Sequence, residues 1–399
     1  MAGDRLSRRD VLGGLMTAAA VGAAARGTVL ASPAAGEIRR SAGILRLGAN
    51  ENPIGLGPAA RAAFLAAADE ANRYPGRVWD TLLSQLTTQH GVDSSWIHLT
   101  PGSGELLRAA TAAFTGPAKS LVIAAPTYET PARTASAGGA TVHAVPVTSE
   151  GRLDLDGMLA KAAGAGMIFV CNPNNPTGGS VAATALADFV TKLKGVAPEA
   201  HVLVDEAYFE YADEPGYATA VPLAIANPRV LVTRTFSKVF GMAGLRLGYA
   251  IAHPDTLSEL QTRGSSTGML SVATLAAGGA AFGDTAHLAG ERERNKTLRR
   301  TTREKFEAAG YRVLPSAANF LMIDIRRDIG SFGSTCRRNG IMVARPFPPL
   351  STFMRLTIGT EAEMAEAVPA ILELLSAPTS ARLRDGFGGP GDWPPAYGC

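Results

Sequence analysis

Three polar clusters in this sequence each follow a short apolar run: Cys171-Asn172-Pro173-Asn174-Asn175-Pro176-Thr177-Gly178, then Asp205-Glu206-Ala207-Tyr208, then Thr235-Phe236-Ser237-Lys238. The last continues into Gly241-Met242-Ala243-Gly244-Leu245-Arg246-Leu247-Gly248-Tyr249. Together they supply an amide, a carboxylate, a phenol, an amine and a guanidinium. A lysine amine condenses with an aldehyde. A carboxylate facing a ring nitrogen keeps it protonated, so that the ring accepts electrons from a carbanion. An amide and a phenol hydrogen-bond a ring hydroxyl. Arginine, hydroxyls and the N–H groups of a helix start hold a phosphate. The set suits a phosphorylated pyridine aldehyde. Lysine is otherwise scarce, with seven in 399 residues, which narrows the choice of amine.

Those clusters need a scaffold that brings them together. Leu121–Ile123, Thr141–Val147, Met167–Val170, Val202–Val204, Val230–Val232 and Tyr249–Ile251 read as strands. Glu105–Phe114, Ala182–Leu193 and Asp255–Arg263 read as helices between them. Continuous Val/Ile/Leu runs fit strands buried on both faces, and the alternation predicts an α/β fold with a largely parallel sheet. In such a sheet the carboxyl ends of the strands form the binding crevice. After about residue 280 a charged helix, 287–309, precedes the strands Phe320–Ile323, Ile341–Val343 and Arg355–Ile358 and a last amphipathic segment, Glu361–Leu375. That half reads as a smaller α+β domain. The expected organisation is 1–31 as a signal, 32–74 as an N-terminal segment, 75–279 as the large domain, 280–375 as the small domain and 376–399 as a Gly/Pro-rich tail.

Composition bounds the alternatives. Hydrophobic residues make up 46% and charged residues 18% of the chain, enough for a large core, and a formal charge of +3 does not suggest a nucleic-acid binder. The three cysteines are too scattered for a disulfide framework or a zinc cage, and Cys171 reads as a buried apolar residue. Gly102-Ser103-Gly104 begins like a dinucleotide fingerprint, but Leu107 stands at the third glycine position. Gly264-Ser265-Ser266-Thr267-Gly268 matches a hydrolase elbow, which needs a preceding strand where this chain has a helical pattern.

The motifs NPNNPTG, DEAY and SKVFGMAGLRLGY, in this order, resemble the fold-type I pyridoxal-phosphate (PLP) enzymes, in particular the class I/II aminotransferases of the histidinol-phosphate type. The resemblance runs from about Leu45 to Leu375. It implies a fold-type I transferase with a mostly parallel central sheet, PLP as cofactor and a homodimer. It implies that Lys238 forms the Schiff base and later moves a proton, that Asp205 pairs with the pyridinium, and that Asn175 and Tyr208 bond the ring hydroxyl. Ser237, Arg246, Ser103 and Gly104 are implied around the phosphate; Gly104 stands where the family usually has aspartate, leaving backbone contacts there. Tyr128 matches the aromatic that stacks on the ring, and Tyr74 the tyrosine that reaches the neighbouring subunit's phosphate. Arg355 matches the clamp on the substrate carboxylate, Arg345 an arginine on the substrate phosphate, and Asn52 lies in the segment over the active site. The implied reaction moves an amino group from an amino acid or amino-alcohol phosphate to a 2-oxo acid. The same carbanion chemistry serves decarboxylation and racemisation, and a PLP-binding protein with little turnover is the reading outside catalysis.

The N-terminus carries a different message. Ser7-Arg8-Arg9-Asp10-Val11-Leu12 precedes an apolar or small stretch from Val11 to Ala25, with Val29-Leu30-Ala31 as a small-residue cleavage site. The pattern resembles a bacterial twin-arginine (Tat) signal. Its apolar part is shorter than the roughly 20 residues of a spanning helix, so a cleaved signal, the Tat machinery as partner and a periplasmic or secreted location are expected, with no stable membrane anchor. An exported enzyme is removed from cytoplasmic biosynthesis, which sets this segment against histidinol phosphate as the obvious donor.

Overall fold

The apolar runs pair as their patterning demands. The computed structural model describes residues 43–263 and 270–377, all of them in one compact unit. The signal-like segment, the elbow-like 264–268 and the tail beyond Ala377 lie outside the described residues. Strand β1 (Leu45–Arg46) stands apart from the main sheet, which contains β2 (Ile97–Thr100), β3 (Ser120–Ala125), β4 (Val142–Pro146), β5 (Ala165–Cys171), β6 (His201–Asp205), β7 (Val230–Thr235) and β8 (Gly248–Ile251). Its order is β2-β8-β7-β6-β5-β3-β4. Strands β4, β3, β5, β6 and β7 pair in parallel, and helices such as Thr130–Ala137 and Ala183–Val196 make the crossovers.

Side chains along the central strands alternate between two cores. On β5, Ile168 and Val170 face one core, while Met167, Phe169 and Cys171 face the other. This period of two, apolar on both faces, is what a strand covered by helices on either side requires. Strand β8 departs from the parallel pattern and is antiparallel to both β7 and β2. Residues 236–247, which join β7 to β8, are spent on a loop without a crossover helix, so the chain returns in the opposite direction. Strand β2 escapes the sequence pattern because His98 and Thr100 interrupt its apolar run; both are buried nonetheless.

The C-terminal half forms a three-stranded antiparallel sheet of β9 (Arg312–Val313), β10 (Phe320–Asp324) and β12 (Phe353–Thr357), in the order β12-β10-β9. Strand β11 (Ile341–Met342) pairs in parallel with β1, so Leu45 and Leu47 join the second core with Leu321, Leu356 and Ile371. The N-terminal segment is thereby stitched to the C-terminal half. The helix Glu361–Ser376 starts with a reciprocal cap in which the Thr360 hydroxyl accepts from the Glu363 N–H and the Glu363 carboxylate from the Thr360 N–H. Among the described residues, no helix is long and apolar enough to cross a membrane.

Candidate active site

Of the seven lysines, Lys238 alone is buried, at 3% exposure; the other six lie in exposed positions. It sits in the loop just beyond β7, where Nζ donates to the Asn50 carbonyl at 3.3 Å and lies 5.5 Å from the centre of the Tyr208 ring. Asp205 is the last residue of the neighbouring β6 and opposes Thr233 of β7, whose hydroxyl donates to Oδ1 at 3.0 Å. Burial pushes the Asp205 carboxyl up to about 6, while the Thr233 bond and the Lys238 charge act to lower it. A cation placed against this carboxylate would offset the cost of its burial.

The next residues along both strands point to the other face of the sheet. There Glu206 accepts from Arg234 Nε at 2.7 Å, the Thr219 hydroxyl at 2.9 Å and the Ala220 N–H at 2.6 Å. The Arg234 guanidinium also stacks 3.5 Å from the Phe209 ring centre. This buried ion pair backs the strand ends that carry Asp205 and Lys238. The DEAY motif contains Glu206, yet the sequence gives no sign of its partner on β7.

A second corner gathers Ser103, Ser237 and Arg246. Gly102 has φ +85°, a conformation that L side chains rarely adopt, and a Cβ there would lie 2.4 Å from the Arg246 guanidinium. A Cβ on Gly248 would lie 2.4 Å from the Ser103 N–H nitrogen. Both glycines therefore let Arg246 and the start of helix Ser103–Phe114 close together, with Gly104 buried in its first turn. The Thr235 hydroxyl donates to Ser237 Oγ at 3.0 Å and accepts from the Ser237 N–H at 3.1 Å. Ser103 Oγ is buried with no hydrogen-bond partner in the protein. An orphaned hydroxyl, a helix N-terminus and an arginine fit an anion such as phosphate.

Tyr128, half-buried, follows β3 and packs on one of the two large-sheet cores. Its loop is tied to the NPNNPTG loop by the Thr127 hydroxyl, which donates to Asn174 Oδ1 at 2.7 Å. Asn175 accepts from an Arg355 guanidinium nitrogen at 2.6 Å, so these two predicted groups meet directly. Arg355, on β12, also donates to the Gly48 carbonyl at 2.7 Å. Its guanidinium lies 4.8 Å from the Phe347 ring centre, and that of Arg345 lies 4.6 Å from the same ring. Arg345 is paired with Glu129 at 2.5 Å.

Asn52 donates to the Val239 carbonyl at 2.8 Å and accepts from the Ile54 N–H at 3.0 Å. Both ends of its amide are committed to the backbone, fastening the N-terminal segment beside Lys238. Tyr74 is 99% exposed and does not join the cluster within one chain. Asn319 and Thr357 enter the site without having been predicted, and Asn50 enters it from the Asn50-Glu51-Asn52-Pro53 segment expected over the active site. Asn319 Nδ2 donates to the Asn50 carbonyl at 3.1 Å, and the Asn50 amide donates to the Tyr208 hydroxyl at 3.0 Å. The sequence carries no signal that singles out Asn319 or Thr357.

The sequence model of the family "Aminotransferase class I and II" matches residues 42–371. Histidinol-phosphate aminotransferase 1 of Cupriavidus pinatubonensis is 35% identical over 336 residues, covering 83% of this chain and 88% of that protein. Histidinol-phosphate aminotransferase of Moorella thermoacetica is 33% identical over 346 residues, 85% and 88% of the two chains. Among solved structures, histidinol-phosphate aminotransferase from Sinorhizobium meliloti in complex with pyridoxal-5'-phosphate superposes with a TM-score of 0.75 at 26% identity, over 83% of this chain and 90% of that one. The family match runs through β1, the buried Lys238 and Asp205, and the strand that carries Arg355: the chain belongs to the class I and II aminotransferases.

Proposed function

We propose that this aminotransferase, which works with PLP, holds its cofactor between Lys238, Asp205 and the Ser103–Ser237–Arg246 corner, and takes an amino compound with an anionic head as donor. The donor class is an amino-alcohol phosphate such as L-histidinol phosphate, and the acceptor a 2-oxo acid such as 2-oxoglutarate. The observation that carries this reading is the buried amine of Lys238 beside the buried carboxylate of Asp205 at the ends of adjacent parallel strands. PLP supplies an electron sink for the carbanion left when the donor loses its α-proton. Lys238 is the amine that the donor displaces and the base that moves that proton. Asp205 would hold a protonated ring nitrogen by charge, with Thr233 fixing the carboxylate. Asn175 and Tyr208 would hold the ring hydroxyl, Tyr128 would cover the ring, and Tyr74 would serve the phosphate site of a second copy in a homodimer.

The donor proposal is supported by the names of the relatives and by the two guanidiniums, Arg355 and Arg345, that share Phe347. A charge-assisted hydrogen bond contributes about 1.5–3 kcal/mol, or roughly 10- to 100-fold in affinity. Arg345→Ala is therefore expected to raise KM for histidinol phosphate by about that factor. A neutral aromatic amino acid should be converted with KM changed by less than about 3-fold. Equal losses for both donors would contradict the assignment of Arg345.

We further propose that residues 1–31 send the enzyme through the Tat route, which carries folded proteins and so suits a chain that must acquire its cofactor first. The Arg8-Arg9 pair ahead of an apolar run supports this. Replacing both by lysine should leave active, full-length enzyme in the cytoplasmic fraction, whereas export at the wild-type level would refute the route.

A further inference from the structure

Asn50 is 1% exposed and has φ +54°, a left-handed backbone that asparagine tolerates better than most residues. Its hydrogen bonds tie it to four distant positions, Tyr208, Lys238, Asn319 and Thr357. The Asn50 N–H donates to Thr357 Oγ1 at 3.0 Å, and the same hydroxyl donates to Asn50 Oδ1 at 3.1 Å. The Thr357 hydroxyl thus accepts from the backbone N–H and gives its single proton to Oδ1, so Oδ1 is the end of the amide held at β12. Nδ2 must then face Tyr208 Oη, 3.0 Å away. Tyr208 accepts this bond, so its own phenolic proton is aimed at a different acceptor. Thr357 is two residues from Arg355 on β12, on the same side of the strand.

We propose that Asn50 is a positioning residue: held by Thr357, it orients the phenolic proton of Tyr208 toward the cofactor's ring oxygen, and so links the substrate-clamp strand to the electronic state of the cofactor. The proposal rests on the reading of Lys238 and Tyr208 given above. A proton donated to the ring oxygen withdraws electron density from the neighbouring nitrogen contributed by Lys238 and favours its deprotonated form. Anything that turns the Tyr208 proton away raises the pH at which that nitrogen titrates. Asn50→Asp substitutes an acceptor for the donor and captures the Tyr208 proton. Thr357→Val releases the amide to turn its oxygen toward Tyr208, with no added charge.

The test is a pH titration of the visible absorbance of the PLP-loaded holoenzyme, with melting temperature recorded for each variant. Asn50→Asp is expected to raise the midpoint by about 1 pH unit, and Thr357→Val by about half a unit. In a Tyr208→Phe background each shift should fall to less than about half its size. The neutral Thr357→Val variant carries the test if the buried aspartate prevents folding. Unmoved midpoints in folded variants, or shifts that persist undiminished without the Tyr208 hydroxyl, would overturn the role of Asn50. A wild-type protein with no cofactor absorbance at all would instead defeat the reading on which the proposal stands.

Discussion

Lys238→Ala is expected to lower turnover by about four orders of magnitude or more, with the fold retained. The substitution removes the only buried lysine amine, and no other lysine is placed to replace it. On the proposed function two roles vanish together: the amine that takes the cofactor aldehyde, and the base that moves the α-proton. Their effects are not additive, because both reside in one atom. The structural loss is small by comparison, since the amine's hydrogen bond to the Asn50 carbonyl is a long one of 3.3 Å. A single-turnover assay with donor in excess separates chemistry from product release. Turnover within about tenfold of wild type would remove Lys238 from the mechanism.

Arg234→Met should destabilise the protein by about 3–5 kcal/mol, because it strands the Glu206 carboxylate without its countercharge. Glu206 and Arg234 are 1% and 4% exposed, so water does not repay the loss. The companion variant, Glu206→Gln with Arg234→Met, should recover part of the stability, since Glu206 no longer carries an uncompensated charge while Glu210, which Arg234 also pairs with at 3.3 Å, still does. Urea denaturation at fixed protein and cofactor concentration measures both. A loss below about 1 kcal/mol for Arg234→Met would show that the pair contributes little to holding β6 against β7. The pair lies one residue beyond the Asp205–Thr233 pair along both strands, on the reverse side of the sheet.

The site was most legible where its residues lie in short loops at strand ends. NPNNPTG, DEAY and SKVFGMAGLRLGY each compress several functional groups into one local segment, and apolar runs announce the strands beneath them. The direction of β8 was hidden because it depends on how residues 236–247 are used, which no strand pattern records. Asn319, Thr357 and the contacts of Asn50 were hidden for another reason. Their contacts span hundreds of residues, such as the 307 between Asn50 and Thr357, and depend on the N-terminal segment pairing with the C-terminal half. Arg345 and Glu129 are likewise 216 residues apart. Periodicity shows that each belongs to an element, but only the assembled fold reveals that they meet. Tyr74 is the converse, conspicuous in sequence yet almost fully exposed in a single chain.

The central claim is that the buried amine of Lys238 carries the cofactor. Purified protein loaded with PLP, reduced with borohydride and digested, should yield one modified peptide, bearing a phosphopyridoxyl group on Lys238. A label on another lysine, or no label despite added PLP, would contradict it.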